Sequence, residues 1–183
     1  MKDDGAAIPR KDYVVFHPLD RYPPRAPGPT LVVVATDLAF STQHALDRIT
    51  SFAGEALGVP AVCVSLVDAN RRLVTSSYGL PLPTALLVSH AFRKQVVASR
   101  PPLVVADAPR DPVVARNPAV RDGTVRACVG MPLRAADGRA VGTLLAMDRR
   151  PRRWTAPQLD LVVKVSALIV REVELGAAVR RAS

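Results

Sequence analysis

The segment Ala61–Val67 is the feature that most constrains the fold of this chain. It reads Ala-Val-Cys-Val-Ser-Leu-Val, with apolar side chains on both of its alternating faces, and Pro60 precedes it. A strand that is apolar on both faces has to be covered on both sides, so it belongs in the middle of a sheet. The sequence therefore predicts a layered domain with helices above and below this strand.

Composition narrows the class of protein. The chain has 183 residues, of which 49% are hydrophobic, which allows one domain with a core and excludes wholesale disorder. No apolar run reaches the roughly 18–20 residues of a membrane span, and residues 1–5 open no secretory signal. Two cysteines are too few for a disulfide scaffold or a four-cysteine zinc site. We expect a cytoplasmic protein that does not contact a membrane.

The charge is strongly basic, with 25 Lys and Arg against 16 Asp and Glu and a formal net charge of +9. The predominance of Arg, Ala, Val and Pro is typical of a GC-rich bacterial genome, so part of this charge carries no information about partners. Four arginines fall within Arg149–Arg153, but aromatic residues make up only 4% and no helix-turn-helix spacing accompanies the cluster. A solvated loop is favoured there, and a nucleic-acid partner is not.

Helix and strand signals divide the chain into a proline-rich irregular arm at 1–36 and one domain at 37–180. The first helix begins after an N-cap at Asp37 and stops at Gly58. After the strand at 61–67, we expect a hairpin strand at 73–78, a loop at 79–83 and a helix at 89–99 capped by Ser89. A strand at 103–106 should follow, and then a connection at 107–123 with one short helix after Asp111. The chain should end with strands at 125–133 and 141–147, joined by the turn Asp137-Gly138, and a helix from the cap Thr155 to about Gly176.

The last helix is apolar over more than half of its circumference, which is wider than packing on one sheet requires. Its first apolar side comprises Leu159, Val162, Val163, Ile169, Val170 and Val173. Its second side requires another helix, either the first helix of the same chain or a two-fold related copy. The dimer-interface candidates are His44, Arg48, Leu161, Val165, Leu168 and Leu175.

The order of elements describes an α+β domain with a central antiparallel sheet and helices on both faces. Its motifs resemble those of the GAF domain family, a sensory fold related in shape to PAS domains. The resemblance covers about residues 38–178 and rests on Leu46–Ile49 and Leu57–Pro60, Val64–Asp68, Pro102–Ala108 with Asp111-Pro112 and Asn117-Pro118, Val129–Leu133, Gly142–Asp148, and Trp154-Thr155 with Gln158-Leu159.

The resemblance implies a sheet of five or six antiparallel strands. The first and last helices would lie on one face, often as a dimer interface, and a small-molecule pocket would lie on the other. The pocket candidates that the family implies are Ser65, Tyr78, His90, Arg93, Asp107, Arg126 and Thr143. Each has an alternative: Asp107 as a turn cap, Arg126 as a solvated residue, and Tyr78 as sheet packing.

No nucleophile and base arrangement is visible in the sequence. His17 lies in the arm, His44 lies off the core face of the first helix, and His90 near the start of the pocket-side helix either lines a cavity or faces water. Neither Cys63 nor Cys128 has a nearby partner in sequence of the kind that a zinc site requires. Cys63 and Cys128 are interpreted as buried small hydrophobes, and both fall in predicted strands. The absence of a cysteine from residues 80–99 disfavours a free methionine sulfoxide reductase and a covalent bilin. The family's Asn-Lys signature for cyclic nucleotides is absent as well. We expect no enzyme activity, no metal and no cofactor, with noncovalent haem on His90 or His44 left open.

The function that follows is a non-catalytic regulatory or sensory GAF domain protein of bacterial signal transduction. It would bind an unidentified small molecule, relay its state through a homodimer, or do both, and act on a signalling partner in trans. A pure dimerisation or protein-interaction module without a ligand is the alternative, and an enzyme built on this fold is the third.

Overall fold

A computed structural model of the chain describes residues 40–67, 73–99 and 102–182. The arm at 1–36 and the proposed cap at Asp37 lie outside these ranges, within which no helix has the length and apolar content to cross a bilayer. The elements are α1 (Phe40–Leu57), β1 (Ala61–Val67), β2 (Leu73–Tyr78), α2 (Leu82–Ala98), β3 (Leu103–Val105), a 3-10 turn (Ala108–Arg110), α3 (Pro118–Arg121), β4 (Ala127–Arg134), β5 (Ala140–Asp148) and α4 (Ala156–Ala182).

The five strands form one antiparallel sheet in the order β2-β1-β5-β4-β3, which confirms the predicted α+β architecture. β1 is an interior strand, paired with β2 on one side and with β5 on the other. Its side chains alternate between two cores: Val62, Val64 and Leu66 pack in the core that includes residues of α1 and α4, whereas Ala61 and Cys63 pack in the core that includes residues of α2. The prediction that this strand is covered on both sides is therefore correct.

Two helix boundaries differ from the sequence prediction. α2 begins at Leu82 rather than after Ser89, so the predicted loop at 79–83 ends earlier than expected. Prolines at the start of a helix are compatible with helical geometry because the first N–H groups need no intrahelical partner. α4 continues past Gly176 to Ala182, and Gly176 is buried where a side chain would collide with Thr42 of α1.

The connection between β3 and β4 holds two short helical segments, neither of which starts at Asp111. The Asp111 carboxylate instead accepts hydrogen bonds from the N–H groups of Val113 and Val114, at 2.9 and 3.2 Å, and caps a single turn. The α3 helix is capped by Asn117, whose side chain accepts from the N–H of Ala119. The prediction of one helix after Asp111 is thus wrong, because that aspartate closes only a turn.

The α1 and α4 helices run antiparallel on one face of the sheet. At one end the Gln158 side-chain amide donates to the Leu57 carbonyl at 3.0 Å, and at the other end Gly176 lies against Thr42. α1 stops at Gly58, which has φ +61 and completes a C-terminal Schellman motif. The predicted end of this helix is confirmed.

The arginine cluster Arg149–Arg153 is not uniformly a solvated loop. The Arg152 guanidinium donates to the Asp148 carboxylate at 2.7 Å and to the Gly58 carbonyl at 2.7 Å. It also lies 5.3 Å from the centre of the Trp154 ring, at cation–π distance. Arg152 therefore fastens the β5–α4 connector to the C-terminal end of α1, a role that the sequence analysis missed.

Replacing Arg152 with Ala should lower the free energy of unfolding by about 1.5–3 kcal/mol, since charge-assisted hydrogen bonds to carbonyls and a carboxylate are lost. The matched control is Arg153→Ala, at an exposed neighbour, where a change within about 0.5 kcal/mol is expected. Urea unfolding monitored by circular dichroism measures both. Equal losses in the two variants would contradict the fastening role.

Candidate functional site

The face of the sheet under α2, where the family pocket was expected, is tightly packed in the described residues. Val88, Phe92 and Val96 are each at most 2% exposed and lie in the same core as the sheet. Gly130 of β4 lies so close to Val96 that any side chain at this position would collide with it. α2 therefore rests directly on the middle of the sheet, and its own side chains fill that interface.

A small polar cluster interrupts this apolar interface. The hydroxyl groups of Ser65 on β1 and Ser89 on α2 are hydrogen-bonded to each other. The Cys63 thiol donates to the Ser89 hydroxyl at 3.9 Å. Thr143 of β5 is the cross-strand partner of Ser65 and is also buried. Two of the pocket candidates, Ser65 and Thr143, are thus adjacent on the α2 face.

Three pocket candidates lie away from that cluster. His90 and Arg93 are exposed, on the side of α2 that faces away from the sheet. Tyr78 lies on the opposite face, where its ring packs over Gly54 of α1 and against the α1/α4 core. The expectation that Tyr78 faces α2 is wrong, because the even-numbered residues of β2 point toward α1. Ser76, two residues earlier, also points that way, and its hydroxyl donates a hydrogen bond to Asp47 of α1.

The remaining two candidates form an ion pair at the end of β3. Arg126 donates to both carboxylate oxygens of Asp107, at 2.5 and 3.3 Å, and Arg110 lies 3.6 Å from the same group. The hydrogen bond from Arg126 holds the pKa of the Asp107 carboxyl below its usual value. Asp107 does occupy the N-cap position of the 3-10 turn, as the turn-cap alternative predicted, but its side chain pairs with Arg126 instead of capping, and Arg126 is only partly exposed. The ion pair links the 3-10 turn to the start of β4.

Both cysteines are buried in the α2 core, as interpreted from their strand positions. Burial, which disfavours the thiolate, raises the pKa of Cys63 to about 12, although its bond with Ser89 acts in the opposite direction. Burial likewise raises the pKa of Cys128 to about 12. The reactive form of cysteine is the thiolate, so these thiols are inert in the folded chain.

The α1/α4 layer presents an apolar stripe to solvent on its outer side. Leu168 and Leu175 are 50% and 53% exposed, one heptad apart on α4, and Phe52 on α1 is 53% exposed. Leu161, one heptad earlier, is half-buried and packs against the core. We define the outer stripe as Phe52, Leu161, Leu168 and Leu175. Exposed large apolar groups at heptad spacing, such as the leucines of α4, are typical of an interaction surface.

The other dimer candidates divide into two groups. His44 and Arg48 are exposed on α1. Val165, in contrast, is 1% exposed and belongs to the core between the helices and the sheet. It therefore does not belong to the outer stripe. A wide apolar arc shows that a helix has two contacts, but it does not show which residues the chain itself covers.

Ser89 is the main site residue that sequence reasoning placed wrongly, as a helix cap. Ala85, Val88, Phe92 and Val96 are all buried with it, which is the spacing of a helical face. Extending the helical pattern back through the prolines would have placed Ser89 inside the helix and facing the sheet. Within the described ranges, no three His, Cys, Asp or Glu residues lie close enough together to hold a metal ion.

The native thiols should not react measurably with a thiol-specific reagent at about pH 8, and both should react after unfolding in guanidinium chloride. Because the folded-state pKa values are raised, unfolded cysteine ionises first. The contribution of these two groups to stability is therefore complete below about pH 9 and falls as the pH rises toward 12. Rapid stoichiometric labelling of the folded protein would contradict the burial of both thiols.

Solved structures that resemble this chain share its fold at low sequence identity. A domain described as part of a two-component sensor histidine kinase from Sinorhizobium meliloti has a TM-score of 0.60 at 15% identity and covers 79% of this chain and 100% of its own. A GAF domain from Synechocystis in its photoproduct state has a TM-score of 0.61 at 16% identity, and the match covers 76% of this chain and 98% of that domain. Free methionine-R-sulfoxide reductase from Neisseria meningitidis, in complex with its substrate, has a TM-score of 0.57 at 21% identity. The match covers 78% of this chain and 81% of the reductase chain.

Comparison with curated protein sequences finds no match. The family comparison is decisive, because the sequence profile of the GAF domain matches residues 41–173, from the start of α1 to the second half of α4. This span is well over half of the chain and contains every strand of the sheet. The chain belongs to the GAF domain family.

Proposed function

We propose that this protein is a non-catalytic regulatory GAF module that acts as a homodimer and relays its state to a signalling partner in trans. The observation that carries the proposal is the outer stripe on the α1/α4 layer. Leu168, Leu175 and Phe52 remain about half exposed, whereas Val162, Val165 and Ile169 on the sheet-facing side of α4 are fully buried. Burial of apolar surface contributes about 25 cal/mol per Å², so a second copy of the stripe is a suitable cover.

The arrangement of the two helices supports a symmetric partner. α1 and α4 already form an antiparallel pair, so a two-fold related copy would complete a four-helix bundle. The heptad spacing of Leu161, Leu168 and Leu175 matches the seam of such a bundle. His44 and Arg48 are exposed on α1, where they would form the polar rim of the interface.

The similar structures support a sensory role of the kind that sensor kinases and photoreceptors have. The resemblance to a sulfoxide reductase raises the question of catalysis. Both cysteines of this chain are buried with raised pKa values, which favours a regulatory role over a thiol-dependent reaction.

A second candidate is a dimerisation module without a small-molecule ligand. The close contact of Val96 with Gly130, together with buried Phe92, favours it, since these groups occupy the middle of the α2 face. A sensory ligand would have to separate α2 from the sheet in order to reach Ser65 and Ser89. The two candidates share the dimer and differ only in whether a ligand acts on this face.

Replacing Leu168 and Leu175 together by Glu should convert the dimer to a monomer, since two charges per chain would enter the apolar seam. Sedimentation equilibrium should show twice the 19.6 kDa chain mass for the unaltered protein and a single chain mass for the variant. Both residues are half exposed, so the variant is expected to fold with an unchanged circular dichroism spectrum.

The control for this experiment is Val163→Glu, at an exposed apolar position on a different side of α4. It should sediment as a dimer. A monomeric unaltered protein, or a double variant that remains dimeric, would refute the interface.

Thermal-shift screening with metabolites and nucleotides separates the two candidates. A ligand that binds only the folded state adds about 2.7 kcal/mol at 100 times its dissociation constant, which raises the melting temperature by several degrees. For the sensory module we expect such a shift with at least one compound and its loss in Ser89→Val, which removes the hydroxyl on the α2 face. No shift with any compound would favour the ligand-free module.

A further inference from the structure

The outer side of α2 differs from an ordinary solvated helix face. α2 spans 17 residues and contains no acidic side chain, while Arg93 and Lys94 are both exposed. Leu87, seven residues before Lys94 and thus on the same side of the helix, is 68% exposed. A solvated helix face usually mixes charges of both signs, as α4 does where Lys164 and Asp160 lie 2.6 Å apart.

The connection between β3 and β4 extends this face. The Asn117 side chain donates to the carbonyl of Ala91 at 2.9 Å, so the segment around Asn117 borders α2 one turn from Leu87 and Lys94. Arg116 is exposed beside it, and Val113 is 60% exposed. We define the α2 outer face as Leu87 and Lys94, with Arg93 at one margin of the helix and Val113 and Arg116 at the other. It combines three cations with two apolar side chains.

Three acidic groups of the connection between β3 and β4 have other hydrogen-bond partners. Asp107 is paired with Arg126, Asp111 accepts from the backbone of its own turn, and Asp122 accepts from the N–H of Thr124 at 2.8 Å. No ion pair is formed by Arg93, Lys94 or Arg116 with the residues that the structure describes. Among the described residues, these three cations therefore lie next to exposed apolar surface without a carboxylate in ion-pair contact.

We propose that the α2 outer face docks an acidic amphipathic segment of a partner protein, with carboxylates opposite Arg93, Lys94 and Arg116 and a leucine-type side chain against Leu87. This deepens the proposed function, on which it rests, by naming the chemistry of the partner in trans. The surface is separate from the outer stripe, because α2 lies on the opposite side of the sheet from α1 and α4.

Two other anionic occupants fit the face less well. A helix that lies on a membrane presents a broad apolar face, whereas the apolar part here is limited to Leu87 and Val113. Single-stranded nucleic acid is held by stacking on aromatic side chains, and the exposed residues of α2 include no Phe, Tyr or Trp. A protein segment needs only a small apolar anchor with a charged surround, which is what this face offers.

Binding of a synthetic probe to the full chain tests the proposal. The probe is a fluorescent helical peptide of about the length of α2, with leucines at i and i+4 on one side and glutamates elsewhere. Its matched control carries lysine in place of every glutamate. Fluorescence anisotropy should show saturable, salt-sensitive binding of the acidic peptide and none of the basic one. Hydrogen exchange should show protection confined to α2 and the 111–117 segment.

Variants of the protein localise the effect. Arg93→Glu with Lys94→Glu should weaken binding by at least about tenfold. The control Arg150→Glu with Arg153→Glu makes the same change in net charge at exposed positions of the β5–α4 connector and should leave binding within about twofold. Leu87→Ser should weaken binding about fivefold, since it removes an apolar contact without changing charge.

The outcomes separate this proposal from the dimer. Sedimentation of the α2 variants should still show a dimer, so lost peptide binding in a dimeric protein reports on α2 alone. Equal weakening by the two charge-reversal pairs would show nonspecific attraction and overturn the proposal. Binding to vesicles of phosphatidylcholine and phosphatidylserine without binding to the acidic peptide would overturn it in favour of a membrane surface.

Discussion

The burial of β1 on both faces is the constraint on which the rest of the structure depends. Val62 and Val64 require the α1/α4 layer on one side, and Cys63 requires α2 on the other. The two layers share the strands between them, since β1 contributes side chains to both cores. A change in the packing of one layer can reach the other through these strands, which is the physical basis of the proposed relay.

The two layers meet the sheet in different ways. On the α2 side, Val96 approaches Gly130 closely and leaves an interface filled by the chain's own side chains. On the other side, the helices cover the sheet but leave Leu168 and Leu175 half exposed. At the β3 edge of the sheet, the indole N–H of Trp154 donates to the carbonyl of Val105 at 3.0 Å. Both proposed interaction surfaces lie on the outer sides of the helices rather than at this strand edge.

The strands were more predictable from the sequence than the site was. The bounds of β1 and β2 match their predictions, because alternating or continuous apolar runs between turn residues are local signals. The roles of Val165 and Arg152 were not predictable, since each depends on a neighbour far away in sequence. Burial of Val165 is decided by how α4 is rotated on the sheet, and Arg152 binds a carbonyl of Gly58, 94 residues away.

Two copies of this chain are proposed to pair through the outer stripe. Arg171 is exposed and lies on α4 between Leu168 and Leu175, beside the stripe. Because both native cysteines are buried, a spin-labelling reagent should react only with the cysteine of the Arg171→Cys variant. Packed helices lie about 8–10 Å apart, so electron-electron dipolar spectroscopy should give one distance below about 30 Å. The absence of dipolar coupling between the labels would contradict this pairing.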